Sequence, residues 1–221
     1  DDGSMWCWGR DNFRQLGTPG SDQKFPTRVD FNVSNSGHNL FVTQIDISAQ
    51  STCAIGMDLN ANNDGQLWCW GDNGNNQINT GSRNTDFDLG NSNHDIPVLS
   101  VAEDNIATPI HVETDGHTTC VLLNDNSVQC LGYRIYRSSE TSTTGGRVNY
   151  WWNPIDLDGF SPHPALGEGP NVTSLSSGSA SSQGMCVLLE NQEELNCWGN
   201  NDYRQMGRPS TTTTYATIGA V

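Results

Sequence analysis

Gly65-Gln-Leu-Trp-Cys-Trp-Gly71 is the stretch that decides the fold, because near-copies of it recur along the chain. The copies lie at 3–9, 126–132 and 194–199, and each contains a cysteine followed by a hydrophobic residue and a glycine. In Trp68-Cys69-Trp70, the period of two sends both indoles to one face of a strand and the sulfur to the other. One strand repeated at near-constant intervals predicts a repeat architecture.

Two further elements accompany this strand. A cysteine-containing run precedes the last three copies, at 51–55, 117–122 and 183–188. A tail of the type Asn-x-x-x-Gln-Leu-Gly follows three of the four copies, but is lost after Gly132. Short runs rich in Val, Ile, Thr and Trp, separated by Asn, Asp and Gly turns, indicate β-hairpins. A Pro-marked segment then follows each hairpin and fits an outer edge strand, where a missing N–H is tolerated.

These units predict an all-β fold, a β-propeller of four-stranded antiparallel blades. We expect one propeller region over 1–221, with repeat units at about 1–40 (partial), 41–105, 106–168 and 169–221. The last blade is expected to be incomplete. About four repeats are therefore present, and we expect them to belong to a larger closed ring, since closure hides the strand edges that a flat array exposes.

The order of elements in each repeat resembles the repeat of the regulator of chromosome condensation family. That order is a run such as His117-Thr-Thr-Cys-Val-Leu122, a turn, a Cys-Trp-Gly strand and the Asn/Gln tail. The resemblance extends over nearly the whole chain and implies a propeller that commonly has seven blades. Two features depart from the family pattern: Leu131 replaces Trp in the third copy, and the repeats are longer. The added length lies in loops, where binding surfaces are often built.

Six of the seven cysteines fall in pairs on adjacent hairpin strands, where facing side chains come close enough to bond. The predicted disulfides are Cys53–Cys69, Cys120–Cys130 and Cys186–Cys197. The alternative is that these cysteines are small buried hydrophobic residues. Each disulfide adds on the order of 3 kcal/mol of stability, and the set indicates an oxidising compartment, extracellular or at the cell surface. Cys7 is expected to pair with a cysteine outside the chain, on a strand preceding Asp1.

The charge balance limits the partners. With 25 acidic and 10 basic residues, the chain has a formal net charge of −15 and no cluster of Lys and Arg for binding phosphates, so nucleic acid is not expected as a partner. No apolar run approaches the roughly 20 residues that span a bilayer, so we expect no direct membrane insertion of this region. Motifs of hydrolases, metalloproteases and phosphate-binding loops are also missing from the sequence, and we predict that the protein is not an enzyme.

Two kinds of modification or ligand site are candidates. Asn32 and Asn171 begin N-glycosylation sequons, as expected of a secreted glycoprotein. The run 58–65 places oxygen-bearing side chains at alternate positions before a glycine, as calcium loops do. An ordinary polar hairpin turn is the alternative, and no other cofactor is expected. The candidate Ca²⁺ ligands are Asp58, Asn60, Asn62 and Asp64.

These features favour an extracellular structural or adhesion module that binds other proteins or glycans through propeller faces and long loops, within a larger assembly. One alternative is a secreted soluble binder or inhibitor, for which the aromatic pair Trp151 and Trp152 is the natural anchor. The other interpretation of this pair is an edge strand that packs on its own blade. A receptor ectodomain is a further alternative. Guanine-nucleotide exchange, the activity of the family's nuclear founder, is a distant one.

Overall fold

The chain folds into β-strands joined by turns, and the part that the structure describes has no helix. The structure, a computed structural model, describes residues 2–32, 37–60, 63–74, 77–78, 94–100, 107–115, 117–133, 148–154, 172–178, 184–190, 195–201, 203–207 and 215–220. Within these ranges there is no long apolar helix of the kind that crosses a bilayer.

The strands form one two-stranded and three four-stranded antiparallel sheets. The two-stranded sheet consists of β1 (Trp6–Gly9) and β2 (Gln23–Arg28). The second blade consists of β3 (Leu40–Ile47), β4 (Ser51–Asp58), β5 (Asn63–Gly71) and β6 (His94–Ser100). The third consists of β7 (Pro109–Thr114), β8 (Thr118–Leu123), β9 (Val128–Tyr133) and β10 (Val148–Pro154). The fourth consists of β11 (Val172–Ser177), β12 (Gly184–Leu189), β13 (Leu195–Asn200) and β14 (Tyr215–Ala220).

This arrangement confirms the predicted all-β fold with four-stranded antiparallel blades. The strand order within each blade follows the sequence, as expected of a meander. The prediction that the last blade is incomplete was wrong. Its fourth strand, β14, pairs with β13 in the register Asn200↔Tyr215 and Cys197↔Gly219, so the residues that looked like the start of a further hairpin instead return to close their own blade.

Each Cys-x-Gly strand is bulged where it meets the outer strand of its blade, and the glycine lies at the irregularity. The four glycines have φ angles of 115°, 103°, 108° and 117°, a region that side chains rarely adopt; they are Gly9, Gly71, Gly132 and Gly199. Pro26 and Pro97 lie opposite these bulges on the edge strands β2 and β6. As predicted, proline therefore occupies positions where no ladder N–H is needed.

The first strand of each complete blade lies beside the first strand of the next. Strand β7 packs against β3 and β4, and β11 packs against β7 and β8. One buried cluster continues through the second, third and fourth blades and includes the pairs Cys53–Cys69 and Cys120–Cys130. A second cluster joins the first and second blades, where Phe31 makes edge-to-face contacts with Trp68 and Trp70 at centroid distances of 5.8 and 5.9 Å.

Candidate interaction surfaces

Three disulfides join the second and third strands of the three complete blades. They are Cys53–Cys69, Cys120–Cys130 and Cys186–Cys197, the same residues that the hairpin pattern paired, and the Cα atoms of each pair are 4.1 Å apart. In every case the two cysteines face each other directly across the ladder. Five of the six are buried and Cys186 is partly buried, so these bonds are shielded from external reductants.

Cys7 occupies the matching position on β1 and is a buried free thiol. Burial raises the pKa of this thiol to about 11, and the nearby carboxylate of Asp11 adds to the shift. The thiol is therefore protonated and weakly nucleophilic at neutral pH. Its expected partner outside the chain remains a prediction.

A repeated polar contact links the first strands of successive blades. One carboxylate oxygen of Asp46 on β3 accepts hydrogen bonds from the backbone N–H and the hydroxyl of Thr114 on β7, at 2.5 and 3.0 Å. Glu113 on β7 receives the same two bonds from Ser177 on β11, both at 2.9 Å. Burial raises the pKa of Asp46, and Glu113 contributes to the rise, whereas the bonds from Thr114 oppose it.

Sequence reasoning missed this contact, although a signal was present. Asp46 lies opposite Cys53 in the ladder, and Glu113 lies opposite Cys120, so the two carboxylates occupy one repeat position. An amide nearby strengthens the same interface, since the Gln44 side chain exchanges two hydrogen bonds with the backbone of Val112, at 2.9 and 3.0 Å.

The tails that follow the first two Cys-Trp-Gly strands each dock on the next blade. The carbonyl of Gln15 accepts hydrogen bonds from the Thr52 hydroxyl at 2.7 Å and from the Trp70 indole N–H at 3.0 Å. The carbonyl of Gln77 accepts the equivalent bond from Thr119 at 2.8 Å. The Gln of the tail therefore holds consecutive blades together through its backbone.

The tips of two such tails present an aromatic residue followed by an arginine. Phe13 is 36% exposed and Tyr203 is 89% exposed, and the two hold the same position in their repeats. The following residues, Arg14 and Arg204, have left-handed φ angles of 65° and 61°, which define the turn. Exposed Tyr and Arg side chains are typical of energetically important interface positions.

The proposed calcium ligand Asp58 is engaged by protein donors. Its carboxylate is hydrogen-bonded with His38 at 2.5 Å and accepts bonds from the backbone N–H groups of Asn39 and Asn60, at 3.2 and 3.0 Å. Asn60 also donates its side-chain amide to the carbonyl of Gly37. In the described ranges no three His, Cys, Asp or Glu side chains come together as a metal centre would require. Asn62 and the side chain of Asp64 lie outside the described residues.

Asn32, at the start of the first sequon, is exposed. It lines a cavity of about 440 Å³ whose other polar walls include Arg28, Asp30 and His38. The other two residues of this sequon, like Asn171 of the second, lie outside the described residues.

The aromatic pair Trp151 and Trp152 lies on β10, the outer strand of the third blade. The pair falls between Asn149 and Asn153, in the bulge opposite Leu131. The other blades have a bulge at the same position of their outer strands. The segment that contains the pair is therefore a regular outer strand of its blade. A role for the pair in binding remains a prediction.

Comparisons with known proteins agree with this geometry. Residues 2–55 match the model of the Regulator of chromosome condensation (RCC1) repeat. No curated protein matches the chain. Among solved structures, the chain is similar to human WBSCR16, with 18% identity and a TM-score of 0.72, over 100% of this chain and 49% of that one.

Two yeast structures are also similar. For yeast RCC1 (Prp20) bound to Kap60 the identity is 17% and the TM-score 0.67, over 95% of this chain and 43% of that one. The second is Prp20p from Saccharomyces cerevisiae, described together with its binding to Gsp1p and histones. Its identity is 16% and its TM-score 0.65, over 96% of this chain and 46% of that one. The chain thus spans about half the length of these structures, and at such identities the likeness shows the fold alone.

Proposed function

Because the chain is an RCC1-like repeat β-propeller whose complete blades each carry a disulfide, we propose that it is a non-catalytic protein-binding module of the extracellular space or cell surface. The observation that carries the proposal is the recurrence of one disulfide at the same ladder position of three successive blades. Reducing compartments keep such thiols free. The disulfides therefore also weigh against a nuclear exchange-factor role.

A protein partner is supported by the fold and by the surface. Prp20, which shares the fold, binds Kap60, Gsp1p and histones, and its likeness makes protein binding a natural use of this propeller. The net charge of −15 favours a partner with a neutral or basic surface and disfavours nucleic acid. We propose a structural or adhesive role in a larger assembly, with proteins or glycans as partners and with sugar attached at Asn32 or Asn171.

The tail tips are the surface that we propose for the partner. Tyr203 and Phe13 hold equivalent repeat positions, so they belong to the same face of the propeller. Each is an aromatic side chain beside an arginine at a conformationally defined turn. Such groups provide large contact area at a low cost in side-chain entropy.

The compartment is tested by labelling Lys24, the only lysine of the chain and an exposed residue of β2. Intact cells that express the natural protein, and their medium, are treated with a membrane-impermeant amine reagent, and the peptide containing Lys24 is quantified by mass spectrometry. We expect labelling that permeabilisation does not increase, and none in a Lys24→Arg control. Labelling only after permeabilisation would show that the protein is intracellular.

The binding face is tested by photo-cross-linking. A photoreactive residue is placed at Phe13, at Tyr203 or, as a control, at Leu59, which is 49% exposed in the turn at the opposite end of the blade strands. We expect the first two positions to cross-link one common extracellular protein and the control position to give none of it. Cross-linking of that protein from Leu59 alone would place the binding surface on the other face.

A further inference from the structure

We propose that the sheet formed by β1 and β2 is the outer half of a blade, and that it binds one more β-hairpin of the same repeat. The second strand of that hairpin pairs antiparallel with the free edge of β1 and joins its cysteine to Cys7. The inference extends the proposed function and depends on it only for an oxidising compartment. Three features, two on the first blade and one on the second, each match one part of the hairpin.

The first feature is the edge of β1. Strand β1 corresponds to β5, β9 and β13, and each of these is paired on one side with an outer strand and on the other with a cysteine-bearing strand. In the described part of the chain, β1 pairs with β2 alone. The backbone four residues before the cysteine is also the same, since Gly3 and Gly65 have φ angles of 69° and 68°. The free edge of β1 is therefore shaped for a strand that carries a cysteine opposite Cys7.

The second feature is Gly9. Its counterparts Gly71 and Gly132 leave no room for a side chain, because a Cβ atom there would meet the carbonyl oxygens of Gln50 and His117, which lie in the turns of their own hairpins. Gly9 adopts the same left-handed backbone, yet a Cβ atom on it would meet nothing within 4 Å. The space beside Gly9 thus matches the turn of the added hairpin.

The third feature is the exposed side of β3. Ile45 and Ile47 are 51% and 53% exposed. Their ladder counterparts on β7, Val112 and Thr114, are 0% and 2% exposed, because the inner strands of the preceding blade cover them. The first strand of the added hairpin would cover Ile45 and Ile47 in the same way.

Formation of the disulfide is a two-electron oxidation, and we assign glutathione disulfide as the oxidant. The hairpin thiolate attacks glutathione disulfide and releases one glutathione thiol. The Cys7 thiolate then attacks the mixed disulfide and releases the second. Two protein thiols become one disulfide, and one glutathione disulfide becomes two thiols.

The test uses the chain with a second copy of residues 40–62 fused directly ahead of Asp1. This copy supplies a first strand, a turn and a cysteine strand, and it places the added cysteine at the same sequence separation from Cys7, 16 residues, as Cys53 has from Cys69. The controls are a scrambled extension that keeps its cysteine in place and the extended chain with Cys7→Ser. After equilibration in glutathione buffer, non-reducing peptide mapping gives the fraction of chains in which the added cysteine is bonded to Cys7. This fraction gives the effective concentration of the added cysteine at Cys7.

We expect the repeat extension to show an effective concentration at least about tenfold above that of the scrambled extension. Gly9→Ala is expected to lower this value in the extended chain, where the new turn would meet the added methyl group. Equal values for the two extensions would overturn the proposal. If the extended chain does not fold, free peptides of residues 40–58 and their scrambled form are compared for the rate of disulfide formation with Cys7 of the unextended chain, and equal rates would likewise overturn it.

Discussion

The carboxylate of Asp46 accepts both the backbone N–H and the hydroxyl of Thr114, which lies on the neighbouring blade. The two residues are far apart in sequence but meet because the first strands of the second and third blades lie side by side. Glu113 and Ser177 repeat the contact one blade further on. A small set of charge-assisted hydrogen bonds therefore fixes the register of one blade against the next.

Asp46→Asn is expected to be at least as stable as the unmodified chain at pH 7. The amide oxygen still accepts the bonds from Thr114, and the raised pKa of Asp46 means that its charged form is disfavoured in the folded state. The unfolded carboxyl loses its proton near 3.8, before the folded one does, so this group lowers stability as pH rises from there. Urea unfolding from pH 3 upward should show the advantage of the variant growing with pH. A pH-independent loss of more than about 1 kcal/mol would show instead that the charge is required.

Thr114→Val tests the donor side of the same contact. The substitution removes the hydroxyl and leaves the partly buried carboxylate of Asp46 with one fewer donor. We expect a loss of about 1–3 kcal/mol in the free energy of unfolding. Measured in the Asp46→Asn background, the loss should shrink, since a neutral acceptor needs less compensation. Identical losses in both backgrounds would mean that the two side chains are not coupled.

Trp70→Ala and Trp8→Ala form a matched pair, since both residues follow the cysteine of the repeat strand. Trp70 is fully buried and donates to the Gln15 carbonyl, whereas Trp8 is 60% exposed. We expect the first change to cost about 3–5 kcal/mol and the second to stay within about 0.5 kcal/mol. Chemical unfolding followed by circular dichroism measures both. Similar costs would contradict the assignment of an open first blade.

Cys120→Ala combined with Cys130→Ala removes the disulfide that closes a sequence separation of 10 residues. We expect the double variant to lose about 3 kcal/mol of unfolding free energy, and Cys7→Ala, the control, to lose less. Reduction of the unmodified chain in urea, where the bonds are no longer shielded, should lower its unfolding free energy strongly. An unchanged unfolding free energy after reduction in urea would show that the cysteines act only as small hydrophobic residues.

The reactivity of Cys7 should follow its raised pKa. Because only the thiolate reacts, the alkylation rate of the folded chain is expected to rise about tenfold per pH unit and to level off near pH 11. In urea the same thiol should level off near its ordinary pKa of 9.0. Brief pulses of iodoacetamide followed by peptide mapping measure the rates. A plateau near 9 in the folded chain would contradict the buried position.

The features that sequence predicts well here are those carried by local pattern. The alternation in Trp68-Cys69-Trp70, the polar turns and the prolines of the outer strands each report a local backbone state, and repetition turns them into blades. For the Asp46–Thr114 contact the sequence shows only the acidic residue that Asp46 and Glu113 share at one repeat position, and nothing local identifies its partner. The contact depends on how two blades lie against each other, which only the folded chain defines.

Two features of the folded chain could not be read from the sequence, for similar reasons. Tyr215–Ala220 lacks the proline that marks the outer strands of the earlier blades, so its pairing with β13 could not be distinguished from the start of a new hairpin. Asp58 has the spacing of a calcium ligand, but its oxygens are taken up by His38 and by backbone N–H groups. The partner His38 lies twenty residues away, outside the window in which loop motifs are read.

The central claim, a disulfide-linked propeller that works in an oxidising compartment, is tested most directly by the redox state of its cysteines in the natural setting. Protein from its native source is alkylated before cell disruption, purified without reductant and mapped by mass spectrometry. The account predicts Cys53–Cys69, Cys120–Cys130 and Cys186–Cys197 as intact cross-linked pairs. Alkylated, unpaired thiols at these six positions would contradict it.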